Sequence, residues 1–256
     1  MKKICEFLLG SYAYGLEVSD SDKDIRYVFL NTGVSQILGL DKYQHQQGGK
    51  SEDSFGFEIR FFFNLLKRGN TQTYETIFLD SYLFKDSCFD IILDNKFQFI
   101  DSERLFSCLR GYIQGEKSII VGKNTGKLGE KRKQQIEQFG YSYRNAVHAL
   151  RLLRTGIIFF RDNIYPVNIV KIDKEFGEFI KDIKINPQKH TKEGLLAIID
   201  EIEIPALVLT LRGSRTGQDA FRREFVEALG EPELEFPAKR FSNPRFIMWD
   251  ARALDT

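Results

Sequence analysis

Between Gly10 and Asp24 the chain reads GSYAYGLEVSDSDKD, a glycine and serine followed at short range by two carboxylates one residue apart. Upstream, Ile4-Cys5-Glu6-Phe7-Leu8-Leu9 is a short apolar run that predicts a first strand, halted at Gly10-Ser11. Downstream, Asp24-Ile25-Arg26-Tyr27-Val28-Phe29 predicts a second. If that strand begins near Lys23, Asp22 and Asp24 project from one face, because side chains of an extended chain alternate with period two. Two like charges held that close repel each other and call for a cation between them. Hard divalent ions take oxygen ligands and keep positions open for phosphates, so the pair is a candidate shelf for Mg2+ or Mn2+.

Gly10 has no Cβ and lets the chain turn sharply beside a ligand. The Ser11 hydroxyl and the amides after it can donate to phosphate oxygens if Tyr12-Ala13-Tyr14 forms a helical turn, which Gly15 would end. The plain alternative is a strand, turn and hairpin with a solvated acidic bend. The conjunction of Gly-Ser, a second glycine and SDSDxD within fifteen residues favours the phosphate reading.

Further along, Ile59, Phe62, Phe63 and Leu66 recur at helical spacing and stop at Gly69. The segment Tyr141–Gly156 predicts a helix with an apolar face at 143, 146, 147, 150 and 153 and a Gly stop. Arg144, His148, Arg151 and Thr155 form a basic stripe along another face. Such a stripe on the wet side of a helix is commonly structural; facing the carboxylates it would bind phosphate and favour charge developing on pyrophosphate.

The stretch GSYAYGLEVSDSDKDIRYVF resembles the opening motif of the nucleotidyltransferase fold shared by DNA polymerase beta-like enzymes. It is most similar to the bacterial and phage branch that includes RNA-repair-pathway proteins of the polymerase beta type. GYSYRNAVHALRLLR resembles that branch's YxxKxxxHxxRLL helix, with Arg144 in place of Lys. The resemblance spans residues 3–170 and is specific at 10–26 and 141–154. It implies an α+β fold: a mixed-sheet core flanked by helices, then a mainly helical second half. It implies that Gly10 and Ser11, with Arg26, Arg144 and Arg151, bind nucleotide, that His148 either contacts the nucleotide or orients a residue that does, and that Asp22 and Asp24 bind metal. A third carboxylate is expected on a later strand; Asp53 falls on the family's position, with Glu58 as the substitute. Asn70-Thr71 departs from the family's usual Asn-Pro. The implied activity is transfer of a nucleoside monophosphate from an NTP, with ATP the expected donor, to an acceptor such as RNA or tRNA, releasing pyrophosphate. A silent nucleotide- or RNA-binding module and a metal-dependent phosphohydrolase stay open as alternatives.

Composition sets bounds on these readings. At 256 residues and 42% hydrophobic the chain can bury a sizeable core, expected as a nucleotidyltransferase core over 1–85, a helical domain over 86–210 and a C-terminal arm over 211–256. No apolar run approaches membrane-spanning length, no secretory leader opens the chain and three unpatterned cysteines suit a reducing compartment, so no membrane partner and a cytoplasmic location are expected. The three Cys and three His lack zinc spacing, and no nucleophile-histidine pair competes with the carboxylates. A net charge of +1 gives no overall nucleic-acid footprint, but Arg104 to Arg154 carries eleven Lys or Arg against three acids, including a basic loop over 122–133. The many Phe and Tyr are expected mainly in the core, and His190 on an exposed surface.

Overall fold

The computed structural model describes residues 1–19, 21–31, 46–48, 54–123 and 128–201, with the backbone alone at 46–48 and 131. The C-terminal arm and the middle of the basic loop, residues 124–127, lie outside the described residues. The fold is α+β: a mixed five-stranded sheet flanked by helices, followed by a mainly helical half.

Strands β1 (Lys2–Leu9) and β2 (Asp24–Leu30) pair antiparallel from Lys2↔Leu30 to Leu9↔Asp24. A register shift between Lys3 and Cys5 interrupts the alternation, and both Ile4 and Cys5 are buried. Phe7 and Leu9 continue that buried row, while Tyr27, Val28 and Phe29 supply the middle of β2. Strand β3 (Gln46–Gly48) is antiparallel to β4 (Ser54–Glu58), which runs parallel to β2 from Ile25↔Ser54 to Phe29↔Glu58. The short β5 (Phe84–Lys85) closes the other edge on β1, giving the order β3-β4-β2-β1-β5.

Between β1 and β2 lies a single helical turn, α1 (Ser11–Tyr14), ended by Gly15 at φ 73°. After β4 come α2 (Ile59–Lys67) and α3 (Thr71–Ile77). Helix α2 buries Phe62 and Leu66 and gives way to a turn at Gly69, as its spacing predicts. Helix α3 carries no apolar periodicity; it starts because the Asn70 side chain accepts from the Thr73 amide at 3.2 Å, so Asn70 is an N-cap. Helix α4 (Ser87–Asp94) leads to a 3-10 turn at Lys96–Phe99.

The helical half is built on α5 (Ser102–Ile120) and α7 (Tyr143–Asp162), with α6 (Glu130–Phe139) between them in sequence. Asp101 caps α5 by accepting from the Arg104 amide at 3.0 Å. Helix α7 passes straight through Gly156, where the sequence predicts an end. A Cβ there would stand 3.4 Å from Leu109 of α5, so the glycine marks a close helix crossing and the real end is Asn163 at φ 59°. From Ala149 to Phe159 helix α7 is buried throughout, making it the central rod of this half. Helices α8 (Ile169–Ile172), α9 (Lys174–Ile185) and α10 (192–201) complete the described chain, and α9 seats Phe176, Ile180 and Ile183 in the core. His190 is not an exposed residue: its Nε2 lies 2.9 Å from Asp182 and its ring packs edge-on against Phe179. No helix among the described residues is long and apolar enough to cross a membrane.

Candidate active site

The site is built at one end of the sheet, where β1 leaves and β2 enters. Leu9 pairs with Asp24, so the next residue, Gly10, turns away directly beneath the Asp24 carboxylate. A Cβ on Gly10 would lie 2.4 Å from Asp24 Oδ2, and Gly10 itself holds φ 67° and ψ −145°. Only glycine permits both the backbone and the approach. Helix α1 has no side-chain N-cap, and its amides at Ser11 and after begin beside the carboxylate.

Asp22 is exposed and Asp24 partly so, two residues apart at the mouth of β2. Arg26, on the same face of the strand, reaches to 3.5 Å from Asp24 Oδ1 and lies over the Phe55 ring. Asp53 lies outside the described residues; β4 starts at the next position, and its Ser54 pairs with Ile25. Among the described residues no group of three His, Cys, Asp or Glu stands close enough to hold a metal ion.

Glu58 is not brought to this shelf. It pairs with Phe29 at the opposite end of β2, five residues and roughly 16 Å of strand from Asp24. There it is buried as the N-cap of α2, accepting from the amides of Arg60 at 2.7 Å and Phe61 at 3.4 Å. Its carboxylate satisfies a helix end and is not available as the substitute ligand.

The basic stripe of α7 divides into an open and a closed half. Arg144 is exposed, with no hydrogen bond or ion pair among the described residues. His148 is partly exposed and sets Nδ1 2.8 Å from Glu116 Oε1, while Asn145 donates to the other Glu116 oxygen. Burial alone would raise the Glu116 pKa, but these hydrogen bonds outweigh it and hold the carboxyl below its ordinary value. An ionised carboxylate only accepts, so the His148 Nδ1 donates to Glu116.

Arg151 and Thr155 are fully buried. Arg151 donates to Glu75 Oε1 at 2.8 Å and stacks 3.7 Å above the Tyr14 ring, whose hydroxyl donates to Glu75 Oε2 at 2.7 Å. Burial would lower the Arg151 pKa, yet the Glu75 carboxylate keeps it raised; burial pushes the Tyr14 hydroxyl up. Arg151 therefore does not make the expected substrate contact. It anchors Tyr14 and so braces the Gly10–Gly15 turn from below. With a rise of about 1.5 Å per residue, His148 and Arg144 sit roughly 4.5 and 10.5 Å along α7 from that anchor.

Two further contacts fix the turn from the helical half. Gly15 lies against Asn168, whose Oδ1 would be 2.5 Å from a Cβ at that glycine. Lys184 of α9 donates to Ser11 Oγ at 2.8 Å, to the Leu16 carbonyl at 2.9 Å and to Ser21 Oγ at 3.0 Å. Sequence reasoning missed Glu75 and Lys184. Each is a single charged residue in an unremarkable helix, and only the tertiary fold gives it a partner.

A protein-family model described as RlaP, RNA repair pathway DNA polymerase beta family, matches residues 4–167. The chain belongs to this family. Its match includes the glycine-serine turn, both aspartates and the Arg144–Arg151 helix, and ends before Lys184. No curated protein and no solved structure matches the chain.

Proposed function

We propose that this RlaP-family protein is a metal-dependent nucleotidyltransferase that moves a nucleoside monophosphate from an NTP, ATP being the expected donor, to an acceptor hydroxyl or phosphate and releases pyrophosphate. The observation that carries the reading is the close approach of Gly10 to Asp24, which sets the glycine-serine turn beside the Asp24 carboxylate, two residues from Asp22. Oxygen-only donors at Asp22 and Asp24, open to solvent at a strand mouth, fit Mg2+ or Mn2+. Asp53 is the third ligand in this reading, supported by its neighbour Ser54 pairing beside Asp24's own neighbour Ile25. When bound, the metal supplies charge to the triphosphate and acidifies the attacking hydroxyl.

The chain's own residues do the rest. Gly10 lets the turn close against Asp24, Ser11 and the following amides donate to the donor's phosphates, and Arg26 holds the Asp24 carboxylate in place. Arg144 and His148 extend the nucleotide contact along α7, while Arg151 keeps Tyr14 and the turn still. The family's description, an RNA repair pathway, supports RNA as the acceptor class. Free cysteines at 5, 88 and 108 suit a reducing, cytoplasmic setting.

The test is label transfer. The protein is incubated with Mg2+ or Mn2+, each alpha-labelled NTP in turn, and RNA, protein or no added acceptor. The expected result is a nucleotidylated product and pyrophosphate, lowered at least about a thousandfold in Asp24→Ala, with the variant's circular dichroism unchanged. Transfer persisting in Asp24→Ala removes the shelf from the mechanism; free phosphate or NMP alone as product selects the phosphohydrolase, and ATP binding without turnover the silent module.

A further inference from the structure

Asn168 stands against Gly15 and also lines a cleft of about 230 Å³ that none of the proposed chemistry uses. Within the cleft Phe78 and Tyr165 stack, with 5.3 Å between ring centroids and 24° between ring planes. Tyr165 is buried and Phe78 half-buried, so this pair forms the base; Phe97, edge-on to Phe78, is 59% exposed and stands at the mouth. Ile164 and Ile172, each about half exposed, add apolar lining around the same opening. A solvated ring beside two solvated isoleucines is a patch of the kind that marks a binding site. Lys96 sets Nζ 4.8 Å from the Phe78 centroid and 5.8 Å from that of Phe97, and it has no ion pair among the described residues. A ring attracts an ammonium without neutralising it, so this charge stays available to an anion at the mouth. Asp80, the carboxylate among the described lining residues, is already met by Lys171 at 2.8 Å.

We propose that this cleft takes an unstacked base of a single-stranded RNA acceptor, with the ring on Phe97 and a neighbouring phosphate on Lys96. The assignment rests on RNA as the acceptor class and deepens that reading by naming where the strand is held. Size sets the first limit: clefts that enclose a drug-sized ligand hold roughly 300–1,000 Å³, so this one admits a single ring system and leaves the rest of its ligand outside. Chemistry sets the second. An aromatic face beside a cation that meets the backbone is how proteins hold single strands without regard to sequence. A protein side chain would fill the apolar lining, but it would need neither the ring face nor the unpaired ammonium. Position agrees, because Gly15 ends the turn that Gly10 opens, about 7.5 Å of helical rise away, and Asn168 joins Gly15 to the cleft. A strand held there has its reacting end within a few nucleotides of the carboxylate shelf. An apolar cover over the core, with no ligand role, is the competing account.

A cover needs only apolar bulk at position 97; a stacking site needs a ring. The experiment measures binding of a fluorescein-labelled single-stranded RNA by anisotropy, without NTP or metal, for the full chain and for Phe97→Leu, Phe97→Tyr and Lys96→Gln. The same strand carrying 2-aminopurine at successive positions reports which base stacks on protein, through loss of its emission. Phe97→Leu should weaken the RNA about fivefold or more and abolish the quenching at one position, whereas Phe97→Tyr should stay within about twofold of wild type. Lys96→Gln should weaken the RNA about threefold or more and lower the slope of log affinity against log salt by about 0.7, the share of one phosphate contact, and it carries the test if Phe97→Leu does not fold. In label transfer KM for the RNA should rise with the loss of affinity in Phe97→Leu, with kcat held within about threefold.

Unchanged affinity and quenching in Phe97→Leu, or unchanged affinity and salt slope in Lys96→Gln where that variant stands in, overturns the assignment. Equal weakening in Phe97→Leu and Phe97→Tyr does so too, since it marks packing and not stacking. RNA binding through Phe97 in a wild-type protein that transfers no label would sink nucleotidyl transfer and leave the cleft standing. Label transfer to RNA with KM untouched by Phe97→Leu would remove the cleft and leave the transfer, and a wild-type protein that binds no single-stranded RNA at millimolar nucleotide concentration would remove the cleft outright.

Discussion

Gly10 is the position where backbone and chemistry are least separable. Its φ of 67° with ψ −145° belongs to the region that non-glycine residues enter only with strain, and its missing Cβ is the space that the Asp24 carboxylate fills. Gly10→Ala therefore acts twice. The strain is expected to cost about 1–3 kcal/mol, read as a lower midpoint in urea unfolding. The side chain must also push Asp24 from the place that the proposed reaction needs, and a displacement near 1 Å is enough for a loss of about a hundredfold in label transfer. Measured on the folded fraction, a Gly10→Ala rate equal to wild type would mean that the Asp24 position is not part of the chemistry. This much was legible in the sequence, because a glycine before Ser11 and two aspartates at short range leave few arrangements other than a turn against a shelf. Lys184 was not legible. A lysine 173 residues from its serine partner gives no local sign of where it will land.

At the scale of elements, the first two strands and the amphipathic helix after β4 were readable and the buried charges were not. The apolar runs of β1 and β2 and the spacing of α2 each rest on neighbours within a few residues, which is what periodicity rules detect. Helix α3 has a threonine-rich, non-periodic sequence and buries Glu75, which is tolerable only because Arg151 arrives from 76 residues away. The same pairing draws the Arg151 end of the basic stripe on α7 into the core, and close packing against Leu109 accompanies the passage of the helix through Gly156. Leaving one buried charge alone is costly, and that cost can be measured. Glu75→Gln and Arg151→Met should each lose about 3–5 kcal/mol, since each strands its partner in a dry interior. The double variant should lose less than the sum of the two, with a coupling of roughly 1–3 kcal/mol. Urea unfolding of the four proteins checks it; strict additivity would show that Glu75 and Arg151 do not depend on each other.

For the whole molecule, the family match and the physical unit do not coincide. Every motif residue that carries the proposed chemistry lies within residues 4–167, yet the turn is held by groups from beyond that limit. Lys184 grips Ser11 and the Leu16 carbonyl, Asn168 backs Gly15, and Asp173 pairs with Arg154 of the central rod. Helix α9 adds Phe176, Ile180 and Ile183 to the core, each worth about 1.5–3 kcal/mol of burial, and Phe176 also lies beneath the Arg154 guanidinium. Removing α9 subtracts several kcal/mol from a stability that for ordinary domains totals only about 5–15 kcal/mol, and it leaves Arg154 buried without its carboxylate. A chain cut after residue 167 should thus retain all the family motifs and still fail to hold a native core. The expected signs are weak near-ultraviolet circular dichroism, rapid proteolysis and no label transfer. A truncated chain that unfolds cooperatively and transfers label at the full-length rate would show that the sheet and α7 position the turn without help from the helices that follow.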